Sequence, residues 1–456
     1  MTKMSFSLMV LVVALVITTT WADSGADIAR ENTELKKRVD KLEKELAELK
    51  KIVMGQQFQP VSTEAKPALK PKVRKKPLVA PQLSEADVQK LMAMLEKTEA
   101  GKKGVWSNLD IQLYGYIKAD ASYDTSRVTV GDFVKYVDRE NRGNDDDEFN
   151  MTANQTRFGL KITGPKDEGV QASGLFEMDF YGGGAENKAH IRMRHAYLKL
   201  DWIDERFSII AGQTSDVISP LYPYTLNFTV LWDGGNIGHR HPQIRLTKLF
   251  TLREDVDLSV AGAISRTIGD NDILDESGED AGFPAFQGRV GLTFPLLAYK
   301  PTTVGFSGHW GEEEYGSKDV DTWSVNLDVT QPINRWLTLK GEAFCGENLD
   351  NYFGGIEQGV NPTTLKEISS KGGWLAASLG PWGKYRFNVG MGIDDVERDD
   401  VNAEQRTLNR SIFGNIIYSI NKNTEVGFEL SHWRTRYKGD GDADDVRAQT
   451  SFIYKF

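Results

Sequence analysis

Strict alternation of polar and apolar residues recurs in sixteen stretches from residue 110 to the carboxyl terminus. The connections between them alternate between short and long, and the chain ends on an aromatic residue. Together these features predict an all-β chain, a 16-stranded antiparallel transmembrane β-barrel preceded by a short α-helical coiled coil. Composition agrees: 43 Gly, 21 Phe, 15 Tyr and 10 Trp in a chain of 456 residues suit many strands joined by turns. A mean hydropathy of −0.42 excludes a bundle of membrane helices, and 26% charged residues exclude a mostly disordered or collagen-like chain.

The first element is a targeting segment. Residues 1–22 place Lys3 before an apolar run from Leu8 to Ile17, then small or hydroxylated residues up to Ala22. This is the layout of a secretory signal peptide cleaved after Ala22; the apolar run is about half the length that a single-span anchor needs.

Residues 23–55 follow as a coiled-coil helix. Ile28, Asn32, Leu35, Val39, Leu42, Leu46, Leu49 and Val53 keep a strict 4,3 spacing, flanked by Lys and Glu. A single helix with that seam leaves it exposed, so an oligomer is expected, with Asn32 fixing register at an a position. A lone amphipathic helix lying on the protein's own surface is the alternative. Two strands or three both fit these a and d residues.

Residues 56–103 form a linker. Pro60, Pro67, Pro71, Pro77 and Pro81 lie among Lys66, Lys70, Lys72, Arg74, Lys75 and Lys76, an extended basic spacer with a short helix expected at 84–99. Such a spacer suits either solvent or an anionic polymer such as peptidoglycan.

Residues 104–456 are the barrel. The alternating segments run 110–124, 154–163, 170–181, 189–202, 206–213, 242–250, 255–267, 285–295, 301–312, 320–331, 336–348, 372–380, 384–396, 405–420, 424–437 and 444–456. Short turns on one rim, mostly longer loops on the other, and both ends on the short-turn side describe a barrel of the bacterial outer membrane. A soluble β-sandwich would instead bury the apolar face in a dry core. The ending Phe452, Tyr454 and Phe456 resembles the signal that outer-membrane barrels present to the barrel-assembly machinery. Aromatics near segment ends (Tyr181, Trp202, Trp310, Trp336, Trp382, Trp433 and Tyr437) suit interface girdles.

Charge is divided along the chain. Residues 23–103 carry eighteen basic against thirteen acidic side chains, whereas the whole chain stands at −10, so the barrel is strongly acidic. The acids cluster in the long loops, as at 145–148, 270–280, 312–314, 394–400 and 440–445. An acidic pI argues against nucleic acid as a partner; outer-membrane lipid and lipopolysaccharide are the expected surroundings.

Sixteen strands leave a water-filled lumen, so the expected function is a channel for passive diffusion of small hydrophilic solutes. A structural tether between outer membrane and cell wall is the other reading. The loop 214–241 is rich in Pro and aromatics; it either folds inward to narrow the pore or stays outside. It brings Asp216, Tyr222, Tyr224, Asp233 and Arg240 as candidates. Alternation places Arg157, Lys161, Arg245, Arg289, Lys340 and Arg386 on the lumen side. Asp120, Glu177, Asp179, Asp257, Asp328 and Glu342 share that side, so selectivity for anions competes with internal salt bridges. Arg192 and Arg194 fit either the lumen, past a β-bulge, or a subunit interface. There is no G-x-S-x-G, H-E-x-x-H or P-loop, so neither an enzyme nor a cofactor or metal is expected.

The stretch Gly238-His239-Arg240-His241-Pro242-Gln243-Ile244-Arg245-Leu246, with Ala211-Gly212-Gln213-Thr214 before it, resembles the DcaP-like porins. The coiled coil ahead of a barrel fits the same family. The resemblance implies a homotrimer of sixteen-stranded porins that takes up small organic anions such as dicarboxylates. His239 and His241 flanking Arg240 are a departure from the family pattern that bears on substrate preference.

Overall fold

The structure, a computed structural model, describes residues 109–139, 146–183, 189–267, 281–297 and 299–456. The expected signal segment, coiled-coil helix and linker (residues 1–103) lie outside these residues.

The described strands are β1 (Asp110–Asp124), β2 (Val128–Val130), β3 (Phe133–Val137), β4 (Glu148–Thr152), β5 (Arg157–Asp167), β6 (Val170–Asp179), β7 (Arg192–Trp202), β8 (Phe207–Ser215), β9 (Arg240–Arg253) and β10 (Val256–Ser265). The second half adds β11 (Ala285–Phe294), β12 (Thr302–Tyr315), β13 (Lys318–Pro332), β14 (Leu337–Glu347), β15 (Ser369–Trp382), β16 (Tyr385–Val396), β17 (Arg406–Ser419), β18 (Thr424–Tyr437) and β19 (Asp442–Lys455). Seventeen of them form one sheet, and β2 and β3 make a separate hairpin. Because β4 pairs with the upper part of β1 and β5 with its lower part, those two are one interrupted stave. The described residues therefore form a closed antiparallel barrel of sixteen staves. Closure is made by β1 on β19, and Phe456 and Gly115 exchange two backbone hydrogen bonds of 3.1 Å.

Period-two alternation explains which way each side chain points. On β1, Leu113 and Ile117 face out while Lys118, Asp120, Ser122 and Asp124 are buried within. The outward face is apolar and uncovered, with Leu113 64%, Phe306 59% and Met391 57% exposed. An apolar surface of this extent is matched to lipid and not to water, which separates the molecule from a soluble sandwich.

The buried apolar core lies inside the barrel, toward the long-loop rim. Three inward connections build it: the β2–β3 hairpin, the loop 216–239 between β8 and β9, and the loop 348–368 between β14 and β15. Val128, Val134 and Val137 of the hairpin pack with Leu231 of the second loop against Trp374, Phe413 and Trp433 of the wall. Phe133, Phe228, Trp232 and Phe353 draw all three loops and Tyr181 into another cluster. Each large apolar side chain buried this way stabilises by about 1.5–3 kcal/mol.

This packing corrects part of the aromatic expectation. Trp310 and Trp382 are exposed on the outer wall, whereas Tyr181, Trp433 and Tyr437 point inward and hold the loops. The connection expected as a longer loop at 313–319 is a tight turn through Gly316, at φ 68°, between β12 and β13.

Candidate functional site: a constriction inside the barrel

The loop 216–239 crosses the lumen from β8 to the opposite wall, and inward polar side chains of the staves bond its backbone along the way. At its root the Asp216 carboxylate accepts hydrogen bonds from His241 Nδ1 (2.8 Å), Gln287 Nε2 (2.9 Å) and the His239 amide (2.7 Å). Burial opposes the charge on Asp216, but these three donors together hold its pKa below the usual carboxylate value. Further along, the Leu221 amide donates to Glu342 of β14 (2.8 Å), and Asn415 of β17 donates to the Tyr224 carbonyl (2.7 Å).

On the far wall, Glu429 of β18 accepts the amides of Leu226 (2.6 Å) and Asn227 (3.2 Å). Lys118 of β1 and Gln449 of β19 both donate to the Leu226 carbonyl, at 2.7 and 3.0 Å. Asn227 bonds the backbone of Val134 with both ends of its amide, which ties the loop to the β2–β3 hairpin. A loop folded inward leaves water behind, so each backbone group needs such a partner; these staves supply them. Gly235 adopts φ 118°, and a Cβ there would lie 2.3 Å from the Gly373 carbonyl of β15, so no other residue fits against the wall.

The tip is held by charge. Asp233 is buried, accepts the Glu357 amide at 3.0 Å and lies 3.8 Å from Lys135 Nζ. Burial chiefly, and Glu357 nearby, push its pKa up to about 7 against the pull of Lys135. Asn409 of β17 donates to its carbonyl at 2.7 Å.

Facing this loop, β5, β7 and β9 carry a band of guanidinium groups, and β6 between β5 and β7 carries the carboxylates Glu177 and Asp179. Arg194 donates to Glu177 and Asp179, each at 2.8 Å, and Arg192 makes a bidentate pair with Asp179 at 2.9 and 3.1 Å. Arg157 Nε lies 3.5 Å from Glu177 and is buried without a hydrogen bond. Arg240, 3% exposed, stands 5.5 Å over the Trp232 ring, with no ion pair or hydrogen bond among the described residues. Four guanidiniums thus meet two carboxylates across a few staves, and the band keeps an excess of positive charge.

The sequence model of the DcaP outer membrane protein matches residues 87–274, which include this band and the inward loop. The crystal structure of the outer membrane channel DcaP of Acinetobacter baumannii is similar in fold, with a TM-score of 0.63 at 18% identity over 77% of this chain and 98% of that one. Over residues 87–274 the chain resembles the DcaP outer membrane protein family. An anion-selective porin from Comamonas acidovorans also shares the fold, with a TM-score of 0.51 at 12% identity over 76% of this chain and 100% of that one. No curated protein sequence matches. The chain is therefore an outer-membrane barrel of porin type.

Within this barrel the expected residues divide. Arg157 belongs to the band, and Lys161 is exposed one turn of the alternation below it. Arg245 lines the wall beneath, donating to Gln243 Oε1 at 2.9 Å and to the Ser215 carbonyl. Lys340 stands 4.8 Å over the ring of Tyr224, which is exposed at the loop's edge; Tyr222 packs partly buried beside the aromatic cluster.

Four expectations need correction. Arg289 is locked in a bidentate pair with Asp328 at 2.7 and 2.9 Å, so its charge is cancelled where it stands. Arg386 sits at the short-turn rim, 3.6 Å from Glu425, away from the constriction. Asp216 accepts from the His239 amide, His241 and Gln287, and Asp233 from the Glu357 amide, so both carboxylates anchor the loops.

Sequence reasoning left Arg192 and Arg194 unassigned. Both face the lumen, because the β6–β7 register shifts between Glu177 and Met178, opposite Arg194. Asn415, Glu429 and Gln449 were not singled out; the signal available was their polar side chains on the inward parity of the last staves. Among the described residues no group of three or more His, Cys, Asp and Glu side chains is placed to hold a metal ion.

Proposed function

We propose that the protein is a porin whose channel lets small hydrophilic solutes diffuse across the outer membrane and favours organic anions such as dicarboxylates. The observation that carries this reading is the unpaired guanidinium of Arg240 beside Arg157, Arg192 and Arg194, set against only Glu177 and Asp179. A carboxylate arriving there finds fork-shaped donors ready for bidentate pairing, in a narrow passage whose low-dielectric walls focus the field. Two carboxylates on one solute would be held by two guanidiniums at once, which favours dicarboxylates over their singly charged counterparts.

The same reading gives residues 23–55 an oligomerising role in the periplasm, as the coiled coil of a homotrimer, with the basic linker 56–103 alongside peptidoglycan. The carboxyl-terminal Phe452, Tyr454 and Phe456 serve recognition by the barrel-assembly machinery; Phe452 and Tyr454 are exposed on the outer wall, as that role requires.

Planar-bilayer recording tests the proposal. Stepwise conductance is expected, with about three equal closures per inserted trimer. A sealed membrane would remove the channel reading and leave a tether between membrane and cell wall.

A further inference from the structure

The outer wall carries a groove that the channel does not use. It measures about 880 Å³ and lies across β14 to β18, in the half of the wall nearer the long loops. Its floor is low because Gly373 presents no side chain, and Ala343, opposite it on β14 at the groove's edge, adds only a methyl group. Its flanks are Leu375, Met391, Ile393 and Ile412, all exposed and all on the outward parity. The register sets Leu375, Met391 and Ile412 in one row and Ala343, Gly373 and Ile393 in the row above.

Cations stand at the upper edge of this groove. Arg410 is directly opposite Ile393 on one side and Arg434 on the other. Two guanidiniums opposite each other on one face of a sheet repel. Arg434 is offset by Asp442 (2.6 Å) and Asp444 (3.7 Å), but Arg410 has no hydrogen bond or ion pair among the described residues. Lys371, 68% exposed at its side chain, reaches Asp395 only at 3.8 Å. Arg410 lies four residues inside the β17 end, roughly 13 Å along the strand.

A wall facing hydrocarbon has no ordinary use for an unpaired guanidinium, since such a charge is costly there unless an anion meets it. An apolar furrow capped by Arg410 and Lys371 fits a molecule with fatty chains below and phosphate above. We propose that this groove binds the phosphorylated glycolipid of the outer leaflet, with an acyl chain along Gly373 between Leu375 and Ile393 and a phosphate on Arg410, Lys371 standing at the rim beyond Asp395. The site is independent of what passes through the lumen, since it lies on the opposite face of the same staves.

The full-length protein, extracted from outer membranes in mild detergent, is assayed by native mass spectrometry for bound bisphosphorylated glycolipid. Wild type is expected to retain it. Arg410→Gln with Lys371→Gln, and separately Ala343→Phe, which crowds the floor from its edge without touching the cations, are each expected to lower retention about tenfold. Heat-modifiable mobility on gels verifies that each variant is folded. Wild type from cells whose glycolipid lacks both phosphates should likewise retain little, a comparison that needs no variant. Equal retention by wild type and variants overturns the proposal. So does equal binding of refolded protein to vesicles of phosphatidylglycerol and vesicles carrying the glycolipid, or a loss of oligomers without a loss of lipid, which would make this wall a contact between copies.

Discussion

Along β17, β18, β19 and β1 two amides, an acid and a lysine point inward and hold a loop: Asn415, Glu429, Gln449 and Lys118 all end on the backbone of residues 224–227. Along β5, β6, β7 and β9 inward guanidiniums and carboxylates form a band and hold one another, and the loop meets this band through the Trp232 ring under Arg240 and the Phe228 ring 5.6 Å from Arg192. One side of the lumen spends its polar groups on structure. The other keeps a surplus of charge for whatever passes. A narrow channel needs both, because a constriction loop must be fixed before the charge opposite it can act at a defined distance.

Removing the loop breaks the comparison most directly. Replacing residues 220–236 by a short Gly-Ser linker deletes the constriction, and single-channel conductance should rise about twofold or more, with weaker discrimination between ions. Unchanged conductance would mean that the pore is limited elsewhere.

Stability should separate the two sides next. Arg194→Ala leaves Glu177 and Asp179 buried with fewer partners, and breaking a buried pair costs about 3–5 kcal/mol. Asn415→Ala removes neutral and charge-assisted hydrogen bonds to Glu429 and Tyr224, a loss of about 1–3 kcal/mol. Urea unfolding of both variants in the same micelles should rank them in that order.

A smaller effect is expected from pH. The folded loop raises the pKa of Asp233 from 3.8 to about 7, so it favours the protonated acid. Its contribution is complete below the ordinary value and is lost as the pH rises through about 7. Asp216, held below its ordinary value, behaves oppositely: its contribution is present at neutral pH and lost on acidification. Asp233→Asn should therefore flatten the fall of the unfolding midpoint toward neutral pH while leaving the acid limb in place.

The coiled coil lies outside both walls and sharpens the comparison by exclusion. Deleting residues 23–60 should weaken trimers on size-exclusion chromatography while leaving the conductance per barrel unchanged.

The strands were legible because one face meets lipid and the other water, a contrast that writes itself into every second residue. The expected segments 424–437 and 110–124 coincide with β18 and β1. What escaped is what the pattern does not encode. Tyr181, Trp433 and Tyr437 read as girdle aromatics because they stand near strand ends, but inward parity gives them to the loops. The stave expected at 154–163 is broken into β4 and β5 by residues 153–156, where Thr156 and Gln155 bond Lys118. Arg289 and Asp328 share the inward parity with the arginine band, and only their proximity across three staves separates a salt bridge from a free cation. Arg194 needed a bulge, a local irregularity that strict alternation cannot announce.

If surplus guanidinium charge, and not charge in general, sets which ions pass, then Arg240 and Arg289 should differ in effect. Reversal potentials in a salt gradient across a planar bilayer test it, comparing wild type with Arg240→Gln and Arg289→Gln. Wild type is expected to be anion-selective, with a clear reduction in Arg240→Gln and little change when Arg289, already cancelled by Asp328, is replaced. A cation-selective wild type, or equal effects of the two substitutions, would contradict it.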